Sequence, residues 1–190
     1  MNKKIHTLLF LFLCPMILFG CATWQYIPRD NARWKSGSME AILPKGWVKY
    51  NSVTHSLFLT QDGILLQRIT VAGRPLNKEL SLSKKKLKED MLLQDISGVI
   101  TDELSLNQEY KNFKLLENKP ATIGNVQVFR LVYTYNNEDF MKYKSVTYGF
   151  IVNKKYYEIE YLAAQQHYFE KGLKDFETFI DTMIIRNKSA

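Results

Sequence analysis

The sequence predicts an α+β domain in which helices pack on an antiparallel β-sheet. Three segments alternate apolar and polar residues with the period of a β-strand, at residues 126–135, 144–152 and 155–163. Two others space their apolar residues as an amphipathic helix does, at residues 91–104 and 167–184. Because the connections between the strands are short, we expect neighbouring strands to run antiparallel.

Shorter strands are expected ahead of the first helix. Residues 39–43 and 48–50 alternate in the same way and are separated by a turn that contains proline and glycine. Residues 56–60 and 64–71 flank an Asp-Gly pair, which favours a hairpin turn because both residues tolerate positive φ. The first half of the domain is therefore expected to add short paired strands to the sheet.

Both helices are expected to lie on the sheet. The first is placed from Met91, since the lysines at 84–86 would oppose the helix dipole if the helix began there. The second carries an apolar stripe that must be buried against the sheet, made of Phe169, Leu173, Phe176, Phe179, Ile180 and Met183.

Alternation also assigns the two faces of the last strand. Ile159 and Tyr161 point to one side, and Glu158 and Glu160 point to the other, which is expected to be polar and solvated. The two carboxylates are roughly 7 Å apart on such a strand, near the spacing of the paired carboxylates of glycosidases. We interpret the pair as part of a solvated strand face.

The first twenty residues have the layout of a secretory signal. Lys3 and Lys4 give a basic start, and residues 8–19 are uncharged. This apolar stretch is shorter than the roughly 20 residues of a membrane-spanning helix, and Pro15 interrupts it. We therefore expect residues 1–20 to be a signal peptide and not a permanent transmembrane segment.

Leu18, Phe19, Gly20 and Cys21 follow at the end of this stretch. They resemble the lipobox of bacterial lipoproteins, whose pattern is an apolar residue, a variable one, a small one and cysteine. The resemblance implies cleavage after the small residue and attachment of diacylglycerol to the Cys21 thiol, which makes membrane lipid an expected partner. Ala22, in place of aspartate, resembles the pattern of lipoproteins that are sent to the outer membrane.

The predicted organisation has three parts, namely a signal peptide at residues 1–20, a lipidated cysteine and tether at residues 21–38, and a folded domain at residues 39–186. Cys14 leaves with the signal peptide and Cys21 is consumed by lipid. A disulfide or a thiolate metal site is then excluded by counting. The expected location is the inner leaflet of the outer membrane, facing the periplasm.

The chain has a net charge of +7, and two of its lysines belong to the predicted signal peptide. We expect no nucleic-acid partner because of the envelope location. Each basic residue near an anionic membrane adds only about 1 kcal/mol, so the charge is interpreted as tuning of membrane attachment. Trp24 and Tyr26 either rest at the lipid headgroups or pack on the domain, and the sequence leaves both alternatives open.

Two side chains near the start of the last helix are weak candidates for a metal site. His167 and Glu170 are three positions apart, which places them on one helix face. Zinc requires a third protein ligand, and His55 is the only other histidine after the predicted signal peptide. We therefore expect no metal and no cofactor.

No catalytic residue is predicted, because the sequence lacks the nucleophile elbow, the P-loop and the dinucleotide-binding motif. The sequence does contain a set of short structural motifs. These comprise the turn at residues 44–47, the run at residues 117–124, and Phe129, Leu131, Tyr148, Phe150, Tyr156, Tyr157, Tyr161, His167, Glu170 and Phe176.

Together these motifs resemble the PsbP-like fold, whose other branches include the Ran-binding Mog proteins and DcrB-like bacterial envelope lipoproteins. They span most of residues 39–186. The resemblance implies an α/β/α sandwich and a role in binding or assembling other proteins. It implies no shared catalytic residues.

We predict a non-catalytic envelope lipoprotein that binds or assembles an unknown envelope protein, with its binding residues unassigned. A carrier of lipid or of a small hydrophobic ligand is an alternative, in which the abundant Tyr and Phe side chains line a pocket. Aromatic residues at strand and helix periods are more often core, which favours the first interpretation. A hydrolytic enzyme is the third alternative.

Overall fold

The computed structural model describes residues 24–186. The predicted signal peptide with Cys14, and the lipobox with Cys21, lie outside the described residues. The helices are α1 (Leu93–Ser105) and α2 (Tyr168–Asp181). The strands are, in chain order, β1 (Trp24–Tyr26), β2 (Arg33–Ser36), β3 (Met39–Ile42), β4 (Val48–Tyr50), β5 (Leu57–Thr60), β6 (Gln67–Pro75), β7 (Lys111–Ile123), β8 (Val126–Asn136), β9 (Lys142–Val152), β10 (Lys155–Ala164) and β11 (Ile184–Ile185).

Eight strands form one large sheet in the order β1-β4-β5-β6-β10-β9-β8-β7, and β11-β3-β2 form a small second sheet. Every strand pair in both sheets is antiparallel. Two helices pack on this framework, so the predicted α+β class is confirmed. The predicted strands at 126–135, 144–152 and 155–163 correspond to β8, β9 and β10.

The two helices cover opposite faces of the large sheet. α2 packs on β10, β6 and β3, and its apolar stripe is buried there together with Ile159 and Tyr161 of β10. α1 packs on β7 and β8, and its buried Ile96 and Ile100 join Tyr156 and Leu162 of β10. Because these two pairs of β10 residues alternate along one strand, they must point to opposite sides. We call the two sides the α2 face and the α1 face.

Two of the three connections among the four longest strands are two-residue hairpin turns. Asn153 and Lys154 join β9 to β10 and both have positive φ, at 50° and 59°, as a type I′ turn requires. Gly124 has a φ of 58° in the turn between β7 and β8. Both turns place consecutive long strands side by side in the large sheet.

β6 begins at Gln67, three residues later than the predicted start at residue 64. The backbone N–H groups of Leu66 and Gln67 both donate to the Gly63 carbonyl, which closes a turn before the strand can begin. Ile64 and Leu65 are exposed in this turn. Their apolar character suggested a strand, but local hydrogen bonding determines where β6 starts.

β7 has no counterpart among the predicted strands. It lies at the edge of the large sheet, and most of its side chains are exposed. Two register irregularities interrupt its pairing with β8, between residues 111 and 114 and between 115 and 117. An exposed, irregular edge strand lacks the regular apolar alternation by which strands are recognised.

The predicted tether at residues 21–38 already contains part of the folded domain. β1 pairs with β4 in the large sheet, and β2 pairs with β3 in the small one. Trp34 is only 5% exposed, and its indole N–H donates to the Ser56 carbonyl at 3.2 Å. The described structure therefore shifts the start of the folded region from residue 39 to residue 24, because short pairing segments carry too little periodicity to be recognised.

Replacing Trp34 tests this boundary. We expect Trp34→Ala to lower the free energy of unfolding by about 3–5 kcal/mol, since it leaves a large cavity against Phe179. Trp24→Ala is the matched control, and its effect should stay below about 1 kcal/mol because Trp24 is 46% exposed. Urea denaturation of the purified proteins measures both, and equal small effects would show that residues 33–36 contribute no stability.

Candidate binding surface

The α1 face of the large sheet is covered over only part of its width. α1 packs on β7 and β8, and Leu80 and Leu87, from the segment that precedes α1, extend the buried cluster over β10. The strand residues of this cluster come from β8, β9 and β10, with Phe113 of β7 packed against it. On the same side of the sheet, β1, β4, β5 and β6 lie next to this cluster and are not covered by α1.

We call this part of the sheet the open face and define it by Tyr50, Phe58, Arg68, Thr70 and Ala72. The strand register places these residues on one side, since Phe58 lies opposite Thr70 while Leu59 and Ile69, which point to the α2 face, are fully buried. Most side chains of the open face are partly exposed.

Aromatic rings form a row along one edge of the open face. The Trp24 and Tyr50 ring centroids are 4.7 Å apart, and those of Tyr50 and Phe58 are 5.8 Å apart in an edge-to-face arrangement. His55 continues the row with its ring centroid 5.8 Å from that of Phe58. Aromatic residues that are partly exposed in a row offer a large contact area at low entropic cost.

Glu158 and Glu160 border the open face, and the prediction that they lie on a solvated strand side is wrong. Glu160 is 9% exposed, and its Oε1 accepts hydrogen bonds from the Tyr133 hydroxyl at 2.6 Å and the Ser145 hydroxyl at 3.1 Å. The Glu158 carboxylate accepts a hydrogen bond from the Tyr156 hydroxyl at 3.0 Å. The physical reason is the layer formed by α1 and the segment before it, whose buried Leu80 and Leu87 share one cluster with Tyr156 and Leu162 on this side of β10.

This environment changes the acidity of Glu158. Burial, followed by the charge of Glu160, raises the pKa of Glu158 to about 7, against the smaller opposing effects of the Tyr156 hydrogen bond and Arg74. Burial and the neighbouring Glu160 also raise the pKa of Tyr133 well above its usual value. Both tyrosines therefore act as hydrogen-bond donors to the two carboxylates.

Two arginines of β6 flank the carboxylate pair. Arg68 lies opposite Leu162 and Arg74 lies opposite Tyr156, so each is one diagonal step from a glutamate. Within residues 24–186, neither guanidinium has a carboxylate within 4.0 Å. Burial and the nearby Arg68 lower the pKa of His55, which keeps this edge of the open face free of a second positive charge near neutral pH. A guanidinium without a fixed ion pair is suited to bind a carboxylate of another molecule.

The structure does not complete a metal site around His167 and Glu170. His167 precedes α2 with a φ of 68°, and its ring contacts that of Tyr168. The Glu170 carboxylate lies 4.0 Å from the Lys144 ammonium. Among the described residues, no cluster of three His, Cys, Asp or Glu side chains has the geometry to hold a metal ion.

The aromatic residues that suggested a ligand carrier fill the interior of the α1 face. Tyr110 stacks on Tyr135 with ring centroids 3.8 Å apart, and Tyr135 stacks on Tyr143 at 5.4 Å. Phe129 lies directly over Gly149, where any larger side chain would collide with its ring. The volume between α1 and the turn end of β7 and β8 is a surface groove of about 480 Å³.

The part of the chain from residue 24 to residue 186 has no helix with the length and apolar character needed to cross a membrane. The predicted partners, a membrane lipid and an envelope protein, stay predictions at this point.

Comparison with known proteins identifies the fold. The sequence matches no protein-family model and no curated protein. The structure is similar to that of cyanobacterial PsbP from Synechocystis sp. PCC 6803, with a TM-score of 0.56 and 13% identity over 89% of this chain and 96% of that chain.

Two further structures share this architecture. The Ran-binding protein Mog1p of Saccharomyces cerevisiae has a TM-score of 0.51 and 8% identity over 80% of this chain and 92% of its own. PA94, a Pseudomonas aeruginosa protein of unknown function, has a TM-score of 0.51 and 10% identity over 82% and 88%. These likenesses concern the fold alone, and they confirm the predicted PsbP-like architecture.

The raised pKa of Glu158 predicts how stability depends on pH. The folded state binds the proton of the Glu158 carboxyl group more tightly than the unfolded state does. Protonation of Glu158 therefore makes its full contribution to the free energy of unfolding below about pH 4.5, and this contribution is lost as the pH rises through about 7. Glu158→Gln should therefore be more stable than the wild type by roughly 1–3 kcal/mol at pH 8, and the difference should shrink towards pH 5.

Denaturation curves at several pH values measure this difference. Glu177→Gln, which removes an exposed carboxylate from α2, is the control for the change in net charge. A pH-independent difference between Glu158→Gln and the wild type would contradict the predicted protonation of Glu158.

Proposed function

We propose that this protein is a lipid-anchored, non-catalytic module of the cell envelope that binds another protein through its open face. The observation that carries the proposal is the uneven covering of the sheet. α1 and the segment that precedes it cover the strands from β7 to β10 and leave the aromatic row uncovered. Arg68 lies beside this row, and its guanidinium has no fixed carboxylate partner within the described residues. Aromatic and arginine side chains are the residues that most often dominate the energy of protein interfaces.

The similar folds support this proposal. Mog1p is a Ran-binding protein, so at least one protein of this architecture has a protein as its ligand. In this chain the open face is a part of the sheet that the helices leave available for such contacts. We expect the partner to be an envelope protein with carboxylates at its contact surface, and we expect no nucleic-acid partner.

The carboxylate pair supports a non-catalytic role. Glu160 is engaged by Tyr133 and Ser145, and Glu158 is engaged by Tyr156. A hydrolase of the glycosidase type needs one carboxylate free to protonate the leaving group and another free to act on the opposite side. Here tyrosine hydroxyl groups of the same sheet face bind both carboxylates, which is typical of a structural hydrogen-bond network.

The N-terminal sequence supports the anchor. Leu18, Phe19, Gly20 and Cys21 have the lipobox pattern, and Ala22 follows the cysteine. We propose that acylated Cys21 holds the mature protein in the inner leaflet of the outer membrane, with the folded region in the periplasm.

The anchor is tested with Cys21→Ser. We expect the wild type to fractionate with membranes and to carry a diacylglyceryl-modified N-terminal cysteine in mass spectrometry. The Ser variant should accumulate as an unprocessed or soluble protein. A Ser variant that is still processed to the mature form and bound to membranes would exclude the anchor.

The binding surface is tested by crosslinking in intact envelopes followed by pull-down. We expect Phe58→Ala combined with Arg68→Ala to lower recovery of a crosslinked protein at least about tenfold, because interface hot spots of this kind cost 2 kcal/mol or more. The matched control is Lys174→Ala combined with Glu177→Ala on the exposed side of α2. Equal recovery from both double variants would place the interface elsewhere, and a co-purified lipid without any protein would favour the carrier alternative.

A further inference from the structure

One end of the large sheet collects the N-terminal strand and several lysines. β1 starts at Trp24 opposite Tyr50, so the chain enters the sheet where β4 ends. In the antiparallel order this is also the end at which β6 finishes, and there Pro75 lies opposite Lys155 of β10. We call this end of the sheet, with residues 51–56, 75–78, 86–88 and 153–155, the tether end.

Lysines without ion-pair partners surround the tether end. Lys78, Lys88, Lys154 and Lys155 are exposed, and within residues 24–186 none has a carboxylate within 4.0 Å. Glu89 and Asp90 lie in the same region of the chain. The tether end therefore carries charges of both signs, and its lysines without ion pairs supply unpaired positive ones.

These lysines border an apolar depression. A groove of about 580 Å³ has Pro75, Leu76 and Leu87 among its lining residues, and three lysines and one glutamate also line it, namely Lys86, Lys88, Lys154 and Glu89. An apolar floor with ammonium groups at its rim matches the boundary between the acyl chains and the phosphates of a lipid layer. The fully exposed side chain of Val53 adds an apolar contact at the same end.

The chain length between anchor and sheet is short. Three residue steps separate Cys21 from Trp24, and an extended chain spans at most about 3.6 Å per residue, so Trp24 lies within about 11 Å of the acylated residue. Four strand spacings of about 4.8 Å separate β1 from β10, so Lys155 lies about 19 Å to the side of Trp24. The strand register puts Trp24 level with Glu160, so Lys155 also lies five residues, about 17 Å, further along the strands towards the tether end. Because the acylated residue lies within about 11 Å of Trp24, it can approach the level of Lys155 to within about 6 Å along the strands.

We propose that the tether end docks on an anionic lipid surface, with Lys78, Lys88, Lys154 and Lys155 at the phosphates. This inference rests on the lipid anchor of the proposed function. The strands then stand upright on the membrane, and Arg68 lies near the opposite end of the open face, away from the lipid.

Lysine labelling of the full-length lipidated protein tests the docking. The protein is reconstituted into vesicles of phosphatidylcholine alone or of phosphatidylcholine and phosphatidylglycerol in equal parts, and each lysine is read by mass spectrometry after amine modification. We expect labelling of Lys78, Lys154 and Lys155 to fall severalfold in the anionic vesicles. Lys111 and Lys142 start β7 and β9 at the opposite end and serve as internal controls with unchanged labelling.

A flotation experiment in the unlipidated Cys21→Ser background compares variants that share the same N-terminal segment, so that differences between them report the contribution of the substituted lysines. We expect Lys78→Glu with Lys155→Glu to weaken binding to the anionic vesicles by at least about fivefold for each lysine replaced. Lys111→Glu with Lys142→Glu has the same change in net charge and should leave the binding unchanged. An equal loss for both double variants would show that only total charge matters and would overturn the docking.

The outcomes separate this inference from the anchor. Absence of an acyl mass on Cys21 refutes the anchor, whatever the labelling shows. An acylated protein whose lysines are labelled equally at both ends refutes the docking and leaves the anchor intact. Protection of the tether end only in native envelopes, together with a protein crosslinked to Lys154 or Lys155, would assign this end to a protein partner and also refute the docking.

Discussion

The structure depends on burying both faces of one strand, β10. On the α2 face Ile159 and Tyr161 are fully buried under α2, and on the α1 face Tyr156 and Leu162 are at most 2% exposed. A strand buried on both sides tolerates a carboxylate only when hydrogen bonds replace the lost water. The Tyr133 hydroxyl donates such a hydrogen bond to Glu160. The central strand can therefore carry a buried acidic residue because the α1 face is rich in tyrosine.

The agreement between sequence and structure follows the strength of the periodic signal. β8, β9, β10 and both helices have long regular patterns, and all were predictable. The part of the chain before residue 39 was assigned to a tether because strands of three or four residues are too short to show a period. Alternation correctly placed Glu158 and Glu160 on one side, but whether that side faces water depends on where α1 packs, and no local pattern contains this information.

The candidate binding surface also could not be predicted from local sequence patterns. The aromatic row joins Trp24 of β1 to Phe58 of β5, residues that are distant in sequence and meet only through strand pairing. The chain that carries the proposed anchor thus also forms one border of the proposed binding surface. Attachment to lipid and recognition of a partner would be coupled through the position of a single short strand.

β7 presents thirteen residues at an open sheet edge, where unpaired backbone groups normally attract strands of other molecules. Pro120 removes one N–H group, two register irregularities distort the edge, and Lys114 and Lys119 place charges along it. Confinement to a membrane raises the local concentration of neighbouring copies and with it the frequency of collisions between edges. In the proposed anchored protein, these features of β7 would limit edge-to-edge association between neighbouring copies in the plane of the membrane.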